Sequence, residues 1–599
     1  MLLTSKFSKQ NIQKYSLLFF LTCFLVAIFV FITNIYFATN LSPISNFESG
    51  IYDKPFQISL YNPIPHSEIR YTLDNLKPSA NSQIFTKPID VSDSLIIRAQ
   101  SFRNGEPIGL ERIYSYIFLN RSQNLPILNL VMDDKDLFDS KTGIYSNFNR
   151  DWYRPAQISF YKLGGSSPEF NLSGKARIYG GKSRIFPRKS FHICFDSKNL
   201  NYKIFDKSDI TNYDCLIIRN SGNDFNHTFI RDSLIHNFVS ENTNLFYQDS
   251  KHVILYLNNM YYGIYDIRET KNNNSLSLKY GGSENDYAVF YQIGLLKDPF
   301  GKLVKDSGTK DDLKKFRELQ ELILLDTNFE QISSKIEELL DLDYYFEYQI
   351  IQTYFNNFDY ITHNFKMFRY NGIIKTPGTF QDGKFRWILY DTDIGLGFTT
   401  RDFDIFYINL GKSDKKADNA WRYEFFRNIT KDYNYKKRFV NRYADYLNSK
   451  LLPENVLPYI DKYAKLVEPE VPFHIERWKS FILDIEDKEE YKIPLKSKEE
   501  WSDNINEMRE FVKNRRMDVF RDLNNNFSLG GFYTLNIQNP SPEMGYVKVN
   551  SLDIKSNNWQ GIYFNKIEVD YKPVPYDGYE FVSWQTNTKE LKIPLFRKL

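Results

Sequence analysis

Four side chains with hard oxygen atoms lie in one aromatic stretch of the sequence, from Tyr354 to Phe398, and they are the first candidates for chemistry. They are Asp359, Asn364, Asp391 and Asp393. Carboxylate and carbonyl oxygens suit Mg²⁺, which is usually held by one or two carboxylates together with phosphate oxygens. The stretch therefore predicts a site for a divalent cation.

Asp391 and Asp393 end an apolar run that begins at Phe385, and Gly395 and Gly397 follow. The run is typical of a buried strand that breaks at glycines. Because side chains two apart on a strand share a face, we expect the two carboxylates to converge on one cation. The alternative is a tight turn in which each Asp side chain bonds to its own backbone.

Asp359 and Asn364 have the spacing Asp-x-x-x-x-Asn. In the catalytic loop of protein kinases this spacing supplies an Asp that accepts the proton of the substrate hydroxyl and an Asn that binds a metal ion. The same pair also occurs by chance on solvated surfaces and at helix caps. Its closeness in sequence to Asp391 and Asp393 favours the functional interpretation.

Basic residues surround a predicted strand-to-strand turn at Gly180 and Gly181. They are Arg177, Lys182, Arg184, Arg188 and Lys189. A glycine turn lets backbone N–H groups approach an anion, and neighbouring cations favour phosphate; a solvated hairpin tip is the alternative. Lys189 is the strongest candidate, because the strand that follows from Ser190 could direct its ammonium into a cleft. Glu269 could pair with it as a glutamate pairs with the kinase lysine, although surface ion pairs are common.

The composition is typical of a globular protein with several domains. The chain has 599 residues, 42% apolar and 17% aromatic, enough for three or four domains with sizeable cores. Its 77 Lys and Arg residues nearly balance 74 Asp and Glu residues, so no nucleic-acid partner is indicated. Cys194 and Cys215 could pair, but both lie in strand-like apolar sequence and we expect buried free thiols. The seven histidines have no zinc-ligand spacing.

The N-terminus predicts a membrane anchor. Lys6, Lys9 and Lys14 precede an uncharged run from Tyr15 to Ala38 that is long enough to span a bilayer. The basic flank predicts a cytoplasmic tail and an extracytoplasmic location for the bulk of the chain. The long apolar core and the lack of a small-x-small site favour a single-pass anchor, residues 1–39, over a cleaved signal peptide.

The rest of the chain predicts an α+β fold. Short alternating strands between turn residues predict a β-sandwich over residues 40–124. The central region, residues 125–420, mixes strands and helices. Apolar residues at three- and four-residue spacing predict helices over residues 421–529, and a small β-rich surface module is expected over residues 530–599.

Several motifs follow one another in a fixed order over residues 125–530. They are Gly143-Ile-Tyr, Arg154-Pro, Arg177-Ile-Tyr-Gly-Gly-Lys-Ser-Arg, Pro187-Arg-Lys-Ser, Ile218-Arg-Asn-Ser-Gly-Asn-Asp, Tyr256-Leu-Asn-Asn-Met-Tyr-Tyr-Gly-Ile-Tyr, Arg268-Glu, Asn357-Phe-Asp with Asn364, and Tyr390-Asp-Thr-Asp-Ile-Gly-Leu-Gly. This series resembles the CotH kinase family, named for spore coat protein H. Upstream, Ile69-Arg-Tyr-Thr-Leu-Asp and Ile97-Arg-Ala-Gln-Ser-Phe resemble the C-terminal β-sandwich of chitobiase and β-hexosaminidase-type proteins, which implies a spacer or presentation role.

The resemblance implies an atypical protein-kinase-like core that binds ATP with Mg²⁺ or Mn²⁺. It implies transfer of phosphate to Ser or other hydroxyl side chains, in Ser-rich segments of envelope proteins. It assigns catalysis to Asp359 and Lys189, and metal binding to Asn364, Asp391 and Asp393. The implied ATP-binding residues are Arg177, Gly180, Gly181, Ser183, Lys189 and Glu269. The alternative is a surface adhesin or envelope structural protein that keeps the fold without turnover, although a scaffold has no reason to retain clustered carboxylates that repel one another.

Overall fold

A computed structural model describes residues 22, 42–62, 64–196, 200–293, 302–325, 329–362, 364–373, 375–398, 404–410, 420–480, 494–585 and 591–599. The predicted mixture of helices and strands is confirmed. The chain divides into two compact units. The first contains residues 1–178, 195–197 and 254–262, and the second contains residues 179–194, 198–253 and 263–599.

The first unit begins with a β domain. Its strands are β1 (Ile44–Ser45), β2 (Gly50–Tyr52), β3 (Phe56–Ile58), β4 (Leu60–Tyr61), β5 (Glu68–Thr72), β6 (Gln83–Ile84), β7 (Ile89–Val91), β8 (Leu95–Arg103) and β9 (Glu106–Phe118). A five-stranded sheet has the order β2-β9-β8-β5-β6, and the strands β3 and β7 form a separate antiparallel pair. Alternation places Ile69 and Tyr71 of β5 inside and their polar neighbours nearer to solvent. The core of the domain includes Ile58, Ile97 and Tyr116.

An asparagine in a left-handed turn ties this β domain to the next strands of the first unit. These next elements are β10 (Ile127–Val131), helix α1 (Asp134–Phe138), β11 (Arg154–Tyr161) and β12 (Phe170–Tyr179), of which the three strands pair antiparallel in sequence order. Asn259 has a φ of 60°, a conformation that Asn tolerates. Its Oδ1 accepts from the Ser115 hydroxyl at 2.6 Å and from Nδ2 of Asn129 at 2.7 Å, while its Nδ2 donates to the carbonyl of Leu95 at 2.8 Å.

After Tyr179 the chain alternates strands and helices before a helical region and a final group of strands. The elements up to Trp387 are β13 (Ser190–Phe195), β14 (Cys215–Arg219), α2 (Arg231–Asn242), β15 (Ser250–Leu257), β16 (Met260–Glu269), α3 (Asn273–Tyr280), β17 (Tyr287–Ile293), β18 (Lys302–Ser307), α4 (Lys310–Leu324), α5 (Phe329–Leu339), α6 (Leu342–Tyr354), α7 (Asp359–Thr362), β19 (Lys366–Tyr370) and β20 (Phe385–Trp387). In the second unit β14 pairs antiparallel with both β13 and β16, and a separate sheet has the order β18-β17-β19-β20.

The helical region contains α8 (Ile405–Asn409), α9 (Ala420–Lys431), α10 (Tyr433–Leu447), α11 (Pro453–Val467), α12 (Val471–Trp478) and α13 (Lys498–Phe527). The final strands are β21 (Phe532–Gln538), β22 (Gly545–Val549), β23 (Leu552–Ile554), β24 (Asn558–Phe564), β25 (Tyr571–Pro575), β26 (Tyr579–Gln585) and β27 (Leu591–Lys598). They form two sheets, of order β24-β21-β27-β26 and β23-β22-β25.

The end of α6 is fixed by the long helix α13. Arg515 of α13 donates from Nε to the carbonyl of Tyr354 at 2.9 Å and from Nη2 to the carbonyl of Thr353 at 2.7 Å. Carbonyls at a helix C-terminus lack partners within the helix, so a buried guanidinium satisfies them and complements the helix dipole. One residue further on, the carbonyl of Phe355 accepts from the backbone N–H of Leu396 at 2.7 Å. These bonds fix the segment that leads to Asp359.

The prediction of free thiols was wrong, because Cys194 and Cys215 form a disulfide. The two residues face each other in the antiparallel pairing of β13 with β14. The sequence predicts both strands but not the register between them, and the register decides the bridge. Structural disulfides persist in oxidising compartments outside the cytosol.

The predicted anchor from Tyr15 to Ala38 lies outside the described residues, apart from Thr22. None of the helices that the structure describes has both the length and the apolar content needed to cross a bilayer.

Candidate active site

Asp391 and Asp393 meet on one guanidinium group. Arg219 is the last residue of β14, and its Nη2 donates to Oδ1 of Asp391 and to Oδ2 of Asp393, the latter at 2.9 Å. The structure thus brings together the two carboxylates that the sequence places two residues apart. Arg219 stands in one of the family motifs, but the sequence alone did not identify it as a partner of these carboxylates.

The physical cause of this convergence differs from the predicted one. Strand β20 ends at Trp387, so Asp391 and Asp393 do not share a strand face. Asp391 instead has a φ of 57°, in the left-handed region that Asp tolerates better than most residues. A sharp turn at Asp391, rather than strand alternation, directs the two carboxylates towards Arg219.

A third carboxylate, that of Asp232 near the start of α2, joins the group. Its Oδ1 accepts from the backbone N–H of Thr392 at 2.7 Å and from the Thr392 hydroxyl at 2.6 Å. Its Oδ2 lies 3.2 Å from Nε of Arg219 and 2.6 Å from Nη1 of Arg268. We call Asp232, Asp391 and Asp393, with Arg219 and Arg268, the carboxylate cluster. Asp232 therefore holds both the turn between the other two carboxylates and the arginine that binds them.

The turn after Arg219 is shaped to receive Asp393. The backbone N–H of Asn223 donates to Oδ2 of Asp393 at 2.8 Å, and Nδ2 of Asn223 donates to Oδ1 at 3.2 Å. Gly222 has a φ of 61°. A Cβ at this position would collide with Oδ2 of Asp393, so both the conformation and the contact require glycine.

The two arginines of the carboxylate cluster compensate the charge of Asp232 fully but that of Asp393 only in part. Burial raises the pKa of Asp393 well above its ordinary value, and the charge of Asp391 raises it further, against the opposing effect of Arg219. For Asp232, burial is outweighed by Arg268 and Arg219, which hold its pKa well below the usual range. Burial disfavours the charged form of Arg219, but the three carboxylates raise its pKa. Asp393 is therefore the carboxylate that an additional cation would stabilise.

Asp359 and Asn364 are bound to each other. Asp359 begins the short helix α7, and its Oδ2 accepts from Nδ2 of Asn364 at 2.9 Å. The same segment touches the cluster through Asn357, whose Nδ2 donates to the carbonyl of Asp391 at 3.3 Å. The two motifs that the sequence analysis singled out thus lie on adjoining segments.

Residues 180–189, which we call the glycine turn, enclose the side chain of Lys189. Gly180 has a φ of 120°, and its carbonyl accepts from Nε of Arg184 at 2.7 Å. The Lys189 ammonium donates to the carbonyl of Arg184 at 2.5 Å and to that of Phe186 at 3.1 Å. Burial lowers the pKa of Lys189 to about 8. Ser183 lies in the single 3₁₀ turn of this loop, Lys182–Ile185.

The predicted pair of Lys189 with Glu269 was wrong. Glu269 lies 2.7 Å from Nζ of Lys279, a residue of helix α3, and accepts from the backbone N–H of Asp249 at 2.9 Å. Helix α3 follows β16 closely in sequence, and this places Lys279, rather than Lys189, next to Glu269. Arg177 lies in the first unit, where its Nη1 is 2.8 Å from Oδ1 of Asp151.

The glycine turn and the carboxylate cluster are joined through residues next to Lys189 and Arg219. The Ser190 hydroxyl donates to Oδ1 of Asn220 at 2.8 Å and accepts from the Asn220 backbone N–H at 2.9 Å. Two further lysines, Lys271 and Lys366, also lie close to these segments. No motif marks either lysine; the position of Lys366 two residues after Asn364 was the available signal.

Comparison with known proteins gives two family matches. A model of the CotH kinase protein family matches residues 176–519, more than half of the chain. A model of the chitobiase/beta-hexosaminidase C-terminal domain matches residues 47–109, within the N-terminal β domain. A search of the curated proteins found no match.

Proposed function

The chain belongs to the CotH kinase family, and from that premise we propose that it is an ATP- and divalent-metal-dependent protein kinase. Its core would be an atypical protein-kinase-like fold over residues 125–420, with its helical part over residues 421–529. The phosphate acceptors would be Ser or other hydroxyl side chains in Ser-rich segments of extracytoplasmic or envelope proteins. The β domain over residues 40–124 would act in spacing or presentation, and the module over residues 530–599 would have a binding or spacer role.

One observation carries the proposal: the buried carboxylate of Asp393 and the partly exposed carboxylate of Asp391 are held side by side on Arg219, on a segment bonded to the one that contains Asp359. Placing a second carboxylate beside a buried one is unfavourable unless cations compensate their charges. Arg219 compensates only in part, since the pKa of Asp393 remains raised by burial and by Asp391. A site that tolerates this arrangement is suited to a reaction that brings a cation with its substrate.

The donor set fits a hard divalent cation. Asp391, Asp393 and the amide oxygen of Asn364 would hold Mg²⁺ or Mn²⁺, for which carboxylate and carbonyl oxygens are suitable ligands. When bound, the metal would neutralise charge on the phosphate oxygens of ATP.

Asp359 would act on the acceptor. It would orient the attacking hydroxyl and take its proton as the bond from that oxygen to the γ-phosphorus forms and the bond to the ADP oxygen breaks. The amide of Asn364 that donates to Asp359 would keep this carboxylate in position. The protein would thus supply positioning and charge compensation rather than a covalent intermediate.

The glycine turn would cover the nucleotide. Gly180, Gly181 and Ser183 would present backbone and hydroxyl donors to phosphate oxygens, in the manner of anion-binding turns. Lys189 would supply positive charge under this turn, through the two carbonyls that it already binds. Arg177 and Glu269 would act indirectly, each by holding its own strand through its ion pair, with Asp151 and Lys279 respectively.

The proposed location is the cell envelope. The disulfide between Cys194 and Cys215 supports an oxidising compartment. A domain of the chitobiase/beta-hexosaminidase type is compatible with the same location. The envelope would also place the active site beside surface proteins as substrates.

The test is incorporation of labelled phosphate from ATP by the full chain, with Mg²⁺ or Mn²⁺, followed by intact mass. We expect incorporation in the parent, and none above background in Asp391→Asn, which keeps the size of the side chain but removes one anionic ligand. Metal-dependent incorporation in the variant at the parent rate would contradict the assignment. A parent without incorporation or nucleotide binding would favour the silent adhesin.

A further inference from the structure

We propose that Lys271 and Lys366, together with the hydroxyl of Tyr179, form the subsite for the triphosphate chain. Lys189 instead supports the glycine turn, by bonding to two of its carbonyls. This inference rests on the proposed function and names the residues that would contact the phosphates. The ligand class is a polyanion with several phosphate oxygens, such as the phosphates of a nucleoside triphosphate.

Lys271 lies between the two regions that the site requires. Its Nζ lies 3.2 Å from the hydroxyl oxygen of Tyr179, the residue directly before Gly180. The same Nζ lies 4.4 Å from the ring centroid of Tyr390, the residue directly before Asp391. In the part of the chain that the structure describes, Lys271 has no ion pair with a carboxylate. It is therefore a cation held by aromatic rings, where an anion would add the missing charge.

Lys366 is the first residue of strand β19. It follows Asn364 by two residues, and its own carbonyl accepts from the backbone N–H of Ile388 at 2.9 Å, on the segment that leads to Asp391. Its side chain is 11% exposed, and its Nζ lies 3.0 Å from Oδ2 of Asp306, whose side chain is 41% exposed. A buried ammonium is thus balanced by one carboxylate that is open to solvent and can be screened or displaced.

The two lysines and Arg219 act on the same hydroxyl. Burial would raise the pKa of Tyr179, but the charges of Lys271, Lys366 and Arg219 outweigh it, and the pKa is lowered. Lys271 is the cation in direct contact with this hydroxyl, at 3.2 Å, and a polyanion that binds beside it would compensate its charge. The glycine turn begins at the next residue, so its backbone donors adjoin the same point.

Lys189 differs in each of these respects. Its ammonium is occupied by two carbonyls of the glycine turn, at 2.5 and 3.1 Å. A lysine in this position determines the shape of the turn, which is a positioning role.

The experiment measures binding of ATP, inorganic tripolyphosphate and adenosine to the full chain by calorimetry, with Mg²⁺ present. Lys271→Met and Lys366→Met should each weaken ATP and tripolyphosphate by roughly tenfold to a hundredfold, the usual loss for one hydrogen bond to a charged group, and leave adenosine within about twofold. Lys251→Met is the matched control, because Lys251 also pairs with one Asp, Asp206 at 2.8 Å, and should bind all three ligands like the parent.

Equal affinity of both variants and the parent for ATP and tripolyphosphate would overturn the inference while the parent still binds ATP, so the proposed function would survive. An equal loss for adenosine would also overturn it, since the lysines would then act on the whole site. A parent that binds no ATP would overturn both. If Lys366→Met does not fold, as shown by its thermal melt, Lys271→Met and Tyr179→Phe carry the test, because both side chains are only partly buried.

Discussion

In the glycine turn a buried lysine is held by backbone carbonyls, whereas in the carboxylate cluster two buried arginines are held by three carboxylates. Neutral carbonyls satisfy the hydrogen bonds of Lys189 but do not compensate its charge, so burial lowers its pKa to about 8. In the cluster the carboxylates raise the pKa of Arg219 despite burial. The lysine of the first region can therefore lose its charge near neutral pH, whereas Arg219 of the second region cannot.

The largest effect that would test this difference is the removal of Arg219. Arg219→Met leaves three neighbouring carboxylates with one arginine, and we expect the free energy of unfolding to fall by about 3–5 kcal/mol, as for other broken buried ion pairs. Urea denaturation measures the loss. Arg386→Met is the control, because Arg386 also binds two carboxylates, those of Asp341 and Asp382. The control should lose stability but keep phosphate transfer per folded molecule; a stable Arg219→Met protein would contradict the account of the cluster.

Removal of the disulfide measures how much the link between the two regions contributes to the free energy of unfolding. It links β13, which follows the glycine turn, to β14, which ends at Arg219, across a sequence separation of 21 residues. Replacing both cysteines by serine should lower the free energy of unfolding by about 3 kcal/mol, through the greater freedom of the unfolded chain. Denaturation of the parent with and without a reductant gives the same comparison. An unchanged midpoint after complete reduction would show that the bridge does not stabilise the fold.

Two glycines distinguish the packing of the regions. Gly222→Ala should cost about 2 kcal/mol or more, because Ala disfavours a φ of 61° and its Cβ would collide with Asp393. Gly181→Ala should change stability by less than about 1 kcal/mol, since no other atom lies within 4 Å of the added Cβ. Thermal melts of both variants provide the measurement. Equal costs would mean that the cluster is no more tightly packed than the turn.

The smallest effect is a pH dependence above pH 8 that arises from Lys189 in the glycine turn. The pKa of Lys189 is lowered from 10.5 to about 8, so the unfolded state binds more protons between these values. The stability of the parent relative to Lys189→Met should therefore rise as pH rises from about 8 to about 10.5, by at most about 2 kcal/mol, because relaxation and solvent reduce the full effect. Below pH 8 the difference should be constant. A difference that falls with rising pH would contradict burial as the cause.

The sequence predicts the parts of the site better than their arrangement. The two Asp motifs were recognisable because polar residues interrupt apolar sequence, and the structure places them on adjoining segments. The strand argument for Asp391 and Asp393 was wrong because β20 ends early and a left-handed residue makes the turn. Local spacing determines a face only while the backbone stays regular.

The partners of charged residues were the least predictable feature. Glu269 binds Lys279 rather than Lys189, and the two cysteines pair, because strand register and the next helix decide which side chains meet. Lys271 and Lys366 belong to no motif, and the position of Lys366 two residues after Asn364 is the one signal that the sequence gives for them. Their positions follow from the sheet that contains β19 and from the residues that precede the glycine turn and Asp391.

Because the ribosome makes the chain from its N-terminus, the contacts of Arg219 form one after another. The strands that carry the disulfide and the helix that carries Asp232 are all synthesised early, whereas Asp391 lies 172 residues after Arg219. Contacts across so long a loop form late, because the entropy cost of closing the loop comes before any stabilising contact has formed. A nascent or prematurely ended chain would therefore hold Arg219 paired with Asp232 alone. Asp391 and Asp393 join the carboxylate cluster last, so an incomplete chain would lack two ligands of the proposed metal site.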